Sequence, residues 1–147
     1  MDYAFNRRAG FDYETLEKIT AGLELRGWEV KAIKNGRANL AGAYAIVRGN
    51  EIYLINLALT PEQPKNLPDN YESDRTIKLL LTRKEISGLI GKIKEKGLNL
   101  VPLRLFNQKN KIKAEIILGK SKKKADKRET IRKRDIKREI DRKIKTN

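Results

Sequence analysis

Residues 77–118 read IKLLLTRKEISGLIGKIKEKGLNLVPLRLFNQKNKIKAEIIL, and the order of patterns in that stretch decides the fold. Ile77 to Leu81 is a β-prone apolar run interrupted by one Lys, the signature of a short strand. Thr82-Arg83-Lys84-Glu85 then forms a capping box, in which the Thr82 hydroxyl accepts from the amide three residues on and the Glu85 carboxylate reaches back. Ile86, Leu89, Ile90 and Ile93 mark one face of a helix, and Gly97 stands where a left-handed residue ends it. Leu98 to Phe106 and Lys111 to Leu118 flank the polar tetrad Asn107 to Asn110, so the helix leads into a β-hairpin. Pro102 cannot donate to a ladder and is predicted at an edge or a bulge.

The preceding sequence extends the same design. Ala43 to Arg48 and Glu51 to Leu59 flank Gly49-Asn50, a two-residue turn between β-rich runs. Leu16 to Leu25 is β-prone, with Ala21, Leu23 and Leu25 alternating as on a strand with one buried face. Gly27 opens a short helix carrying Trp28, Val30, Ala32 and Ile33, stopped by Asn35-Gly36, with Lys31 and Lys34 facing outward. Thr60 to Arg75 holds three of the four prolines without periodicity, as a mobile or binding loop would. Five or six short antiparallel strands with a helix before the last hairpin predict a mainly β fold. The specific expectation is a small closed antiparallel OB-like β-barrel with two or three flanking helices.

After Leu118 the composition changes. Residues 119–147 hold 14 Lys or Arg against five acids, +9 of the chain's +15. Ile131, Ile136, Ile140 and Ile144 are its only sizeable apolar groups, too few to offset the entropy of ordering. Two parts are therefore expected: a barrel at 1–118 and a basic C-terminal tail at 119–147, disordered when free. Ile136, Ile140 and Ile144 lie at helical spacing, and Glu129 to Lys133 and Glu139 to Lys143 are i,i+4 pairs of about 0.2–0.5 kcal/mol each. Those pairs are too weak to fold the tail alone, so helix is expected only where a polyanion neutralises the Lys and Arg side chains.

Composition also excludes functions. With no Cys and no His, disulfides, thiolate or imidazole metal sites, Cys nucleophiles and His-dependent triads are ruled out. Non-enzymatic action without cofactor or metal is expected. No run of 18 apolar residues exists, and Met1 to Gly10 has no apolar core of a secretory signal. A cytoplasmic, monomeric protein that does not engage membranes is the expectation, with nucleic acid as the polyanionic partner.

Asn6-Arg7-Arg8-Ala9, Ala21-Gly22-Leu23, Gly27-Trp28-Glu29-Val30-Lys31 and Gly36-Arg37-Ala38-Asn39-Leu40, in this order, resemble the SsrA-binding proteins, the tmRNA-binding partners of trans-translation. Lys78-Leu79-Leu80-Leu81, Leu89-Ile90-Gly91-Lys92, Val101-Pro102-Leu103 and Asp126-Lys127-Arg128-Glu129-Thr130-Ile131 continue the likeness, which spans about Asn6 to Ile144. Thr20, Ile77, Ser121 and Ala125 depart from the family pattern; Thr20 stands where the family usually has Glu before Ala-Gly.

The resemblance implies a non-catalytic RNA chaperone. Its barrel would hold the tRNA-like domain of tmRNA near the elbow and deliver it to stalled ribosomes. Its tail would fold as a helix in the small-subunit decoding centre and the empty mRNA channel. Carried onto this chain, the tmRNA contacts are Asn6, Arg7, Arg8, Gly22, Lys31, Lys34, Arg37, Asn39, Lys78 and Lys113. The ribosome-binding tail residues are Lys120, Lys122, Lys123, Lys124, Asp126, Lys127, Arg128, Arg132, Lys133, Arg134 and Ile136.

Other readings of these residues are available. Lys31, Lys34 and Arg37 could form a plain solvated face, and Lys78 and Lys113 could be edge protection on strands. Trp28 is expected to pack beneath its helix, with base stacking as the alternative. Leu80 and Leu81 are assigned to the core, Arg83 and Lys84 to solvent. Asn6, Arg7 and Arg8 precede the first strand without a core role, which favours RNA contact. A general single-strand-binding barrel would need more exposed aromatics than nine in all can supply after packing. A nuclease would need clustered carboxylates for Mg²⁺, whereas Glu14, Glu17, Glu24, Glu29 and Glu51 are scattered.

Overall fold

The computed structural model describes residues 2–61 and 75–122. The proline-rich loop and the tail helix foreseen from the sequence lie outside the described residues. Within these residues the order is β1 (Asp2–Phe5), α1 (Ala9–Asp12), β2 (Tyr13–Leu23), α2 (Gly27–Lys34), β3 (Ala38–Asn39), β4 (Tyr44–Arg48), β5 (Glu51–Ile55), β6 (Ala58–Leu59), β7 (Ile77–Leu80), α3 (Arg83–Lys96), β8 (Asn99–Gln108) and β9 (Lys111–Ser121).

The fold is mainly β. Seven strands pair in the order β1-β8-β4-β5-β7-β2-β9, and β9 pairs again with β8. Every pairing is antiparallel. The longest ladders run between β9 and its neighbours, from Tyr13 opposite Ser121 to Gly22 opposite Lys113, and from Asn99 opposite Gly119 to Gln108 opposite Lys111. The link between β4 and β8 is the single pair Ala45 and Leu100.

Local chemistry explains the elements. In α3, Thr82 accepts from the Glu85 amide at 3.2 Å and Glu85 accepts from the Thr82 amide at 3.0 Å, while Gly97 closes the helix at φ 62°. In the β8–β9 turn, Lys109 and Asn110 both have positive φ, the backbone that primed hairpin turns require. The ladder shifts register between Pro102 and Arg104, so the proline does occupy a bulge, and the strand bends there.

Alternation sends one side of each strand into a shared core. Ile52 and Leu54 of β5, Ile77 and Leu79 of β7, Leu105 of β8 and Leu118 of β9 are buried, joined by Ile33 from α2 and Ile86 and Leu89 from α3. Truncating any fully buried Leu or Ile in such a core costs about 2–5 kcal/mol. A second cluster of Ala9, Val101 and Ile117 packs α1 against β8 and β9, with Tyr13 and Leu103 at its margin.

Four details depart from the sequence reading. Glu51 to Leu59 is two strands, because Asn56 at φ 62° breaks the run and β6 turns away to pair with β3. Leu80 is 51% exposed and Leu79 is buried, since β7 starts its inward phase at Ile77. β1 and α1 were not foreseen at all. Finally, β9 runs on to Ser121, so Gly119, Lys120 and Ser121 belong to the sheet.

Candidate nucleic-acid interface

Gly22 sits where three strands meet. It pairs with Leu80 of β7 and with Lys113 of β9. A Cβ at this position would approach the Leu80 Cβ at 3.1 Å and the Lys113 Nζ at 3.5 Å. The missing side chain thus lets an apolar group and an ammonium close over the glycine backbone.

Cavities open on both sides of that point. One of about 320 Å³ is lined by Leu25 and Val30, by Lys34 from α2, and by Asn110 to Lys113. Another of about 540 Å³ is lined by Thr20, Glu51, Lys78, Arg83, Glu85 and Lys113. Gly22, Leu80 and Lys113 belong to both, so the two form one groove carrying Lys34, Lys78, Arg83, Lys111 and Lys113. Lys78 is held by Glu51 at 3.7 Å, which offsets part of its charge. Five cations around Gly22, with Leu80 as one apolar shelf, make a surface suited to phosphates and sugar edges.

Among the residues inferred from the sequence, Gly22, Lys34, Lys78 and Lys113 are brought together here. Lys31, Arg37 and Asn39 are exposed nearby on α2 and the segment after it, outside the cavity lining. The Asn39 Oδ1 accepts from the Ala41 amide at 2.9 Å and fixes that turn. Trp28 is half-buried and packs against the core, which favours its packing role. Arg83, expected in solvent, and Lys111, which the sequence reading leaves unmarked, line the groove as well. A cue for Lys111 was available, because Lys111 and Lys113 share one face of β9 by period-two alternation.

Asn6, Arg7 and Arg8 form a separate region. Asn6 is 7% exposed, which corrects the expectation that it has no core role. Its Nδ2 donates to the Pro102 carbonyl at 3.0 Å, its backbone amide donates to the Leu103 carbonyl at 2.7 Å, and its Oδ1 accepts from the Arg8 amide at 3.2 Å. These bonds satisfy backbone groups freed by the bulge and start α1. Arg7 and Arg8 are exposed, with Arg8 paired to Asp12 at 3.4 Å and lying 5.8 Å from the Phe11 ring centroid. A cavity of about 270 Å³ near them is lined by Asp12, Tyr13, Tyr44 and Val101 and shares no residue with the groove.

Other acids, apart from Glu51 and Glu85 in the groove wall, are engaged elsewhere. Glu29 is buried against Arg75, Glu17 pairs with Lys92 at 2.6 Å, and Asp2 and Glu115 hold Arg104 at 2.7 and 3.2 Å. Those two carboxylates hold the Arg104 guanidinium pKa above its ordinary value. Among the described residues no three acids, Cys or His are grouped to hold a metal ion. Among them, too, no helix is long and apolar enough to cross a membrane.

Comparison with known proteins gives the same direction. The family model for SmpB protein matches residues 3–146. An SsrA-binding protein of Magnetococcus marinus is 47% identical over 144 residues, covering 98% of this chain and 95% of that protein. One from Trichodesmium erythraeum is 45% identical over 140 residues, covering 95% and 90%. A chain in a solved structure described as "tmRNA-SmpB: a journey to the center of the bacterial ribosome" superposes with a TM-score of 0.65 at 39% identity, covering 87% of this chain and 93% of that one. The chain belongs to the SmpB family of SsrA-binding proteins.

Proposed function

We infer that this chain binds the tRNA-like domain of tmRNA and delivers it to stalled ribosomes for trans-translation. The observation that carries the reading is the groove centred on Gly22. Its cations come from α2, β7, α3 and β9, so a folded RNA must touch several elements at once to neutralise them. Such a geometry selects shape and backbone over base sequence. Arg7 and Arg8, launched from the buried Asn6, offer a second basic site apart from the groove, with Asn6 as a positioning residue.

The ring of pairings from β8 through β4, β5, β7, β2 and β9 back to β8 supports reading the body as a closed OB-like barrel. The body and the basic tail divide the work: the body grips tmRNA, and the tail occupies the decoding centre and the empty mRNA channel. The protein acts without catalysis, in the cytoplasm where ribosomes are.

The test is a salt titration of binding to the tRNA-like domain of tmRNA. Each neutralised phosphate contributes about 0.7–0.9 to the slope of log K against log salt. Lys34→Ala and Lys113→Ala are expected to lower that slope, and deletion of residues 123–147 is expected to leave binding nearly intact while abolishing peptidyl transfer to tmRNA. Equal loss of binding in the deletion would contradict the division between body and tail. Equal affinity for random single-stranded DNA would favour a general single-strand binder instead.

A further inference from the structure

The last described residue of the chain, Lys122, is held on both its backbone and its side chain by the same short helix. Its amide donates to the Asp12 carbonyl at 2.9 Å, and its Nζ donates to the Gly10 carbonyl at 3.1 Å. Both acceptors are carbonyls at the C-terminal end of α1, where no further helical turn supplies donors. A Lys at that place satisfies them and stands where the local dipole favours a cation.

The helix is itself fixed to the body from below. Ala9 is fully buried against Val101 and Ile117, and Asn6 ties the start of α1 to the carbonyls of Pro102 and Leu103. Immediately before Lys122, β9 is paired to β2 without a break, with Tyr13, Glu14 and Thr15 opposite Ser121, Lys120 and Gly119. The pairing is close: a Cβ on Gly119 would come within 2.8 Å of the Glu14 carbonyl oxygen, so only glycine fits. The sheet and α1 together hold the chain up to and including Lys122.

We propose that Lys122 anchors the root of the basic tail and fixes the direction in which it leaves the body, and is not itself one of the tail's phosphate contacts. An ammonium already donating to Gly10 would have to release that carbonyl before meeting a phosphate. Lys120, exposed in β9, has no such engagement among its described hydrogen bonds and is the nearer candidate for RNA. This inference rests on the reading that the tail engages the ribosome, and it names the residue at which the tail's path is set.

The test uses the full-length protein with Lys122→Met and Lys122→Arg. Two quantities are read: hydrogen exchange at the Ser121 and Lys122 amides, and the salt dependence of binding to ribosomes with an empty mRNA channel. Lys122→Met is expected to lower protection of both amides at least tenfold while leaving the salt slope unchanged, and Lys122→Arg is expected to restore protection. A slope lowered by about 0.7–0.9, the value of one phosphate contact, or unchanged protection in Lys122→Met, would overturn the proposal. Deletion of residues 123–147 separates the two readings. If it leaves ribosome binding and its salt slope intact, the tail reading fails, while the amide result still decides whether Lys122 is an anchor.

Discussion

Arg75 and Glu29 meet as a two-point ion pair, Nε to Oε2 at 2.7 Å and Nη2 to Oε1 at 2.6 Å. Glu29 is 1% exposed and also accepts from the Arg26 amide at 2.7 Å, while Arg75 donates to the carbonyls of Glu24 and Thr76. One guanidinium therefore ties the start of α2, the end of β2 and the approach to β7 together. This is the helix that brings Lys34 to the groove. Removing one partner of a buried pair leaves an uncompensated charge and costs about 3–5 kcal/mol. Glu29→Ala is expected to fall in that range by denaturant unfolding. Arg75→Ala, which leaves Glu29 as the buried charge, should match it, and the double variant should cost clearly less than the sum.

Groove cations should differ in their effect on RNA. Lys113 has no ion-pair partner among the described salt bridges, whereas Lys78 shares its charge with Glu51. Lys113→Ala is expected to weaken tmRNA binding about tenfold, or about 1.4 kcal/mol, and Lys78→Ala less. Arg83→Ala and Lys111→Ala should each lower the salt slope by about one contact, 0.7–0.9. Filter-binding titrations at four salt concentrations would show whether these residues belong to the surface.

Gly22 offers a steric test. Gly22→Ala brings a Cβ to within 3.1 Å of the Leu80 Cβ, which moves only with its backbone, so β7 must shift by a few tenths of an ångström. Overpacking of this kind costs about 1–3 kcal/mol. Replacing the neighbour by glycine, in Gly22→Ala with Leu80→Gly, removes the contacting Cβ and should recover the stability lost to crowding without recovering RNA affinity, because the groove floor is still filled. Recovery of both would show that only the fold needs glycine there.

Glu85 carries a pH dependence. Its carboxyl pKa is lowered from the usual 4.5 by the Thr82 amide and then by the Thr82 hydroxyl, so its contribution to stability is complete above that value. As pH falls through the lowered folded-state value, the carboxylate protonates and the contribution is lost. Thr82→Ala is expected to cost about 0.5–2 kcal/mol at neutral pH. In Glu85→Gln, the part of the acid-induced loss that belongs to this group should disappear from unfolding curves recorded between neutral and strongly acidic pH.

Much of this was legible from short-range chemistry. Thr82, Glu85 and Gly97 announce α3 because a cap depends on residues three or four positions apart. Gly49-Asn50 and the polar tetrad Asn107 to Asn110 announce their hairpins for the same reason, although β8 runs on to Gln108 and narrows the second turn to Lys109-Asn110. What was missed depends on distant partners. Asp2 to Phe5 is four residues with no alternation, and becomes a strand only because β8 offers an edge. Asn6 is buried only because the Pro102 bulge frees a carbonyl nearly a hundred residues away. Leu80 was misplaced because three consecutive leucines conceal which phase faces inward, and the answer came from pairing with Gly22 and from Ile77 taking the buried side. The groove shows the same split: Lys34, Lys78 and Lys113 could be named singly, but their convergence on one glycine follows from how the strands and α2 come together.

The pairing of β2 with β9 has a consequence for synthesis. Tyr13 meets Ser121, so the two sides of this long ladder are separated by about 100 residues of chain. In a nascent polypeptide emerging from the tunnel, most of the eleven-residue β2 waits for β9, since β7 pairs only with its end at Gly22 and Leu23. Closure of the sheet is thus a late event, which leaves the β2 edge open until that last strand arrives.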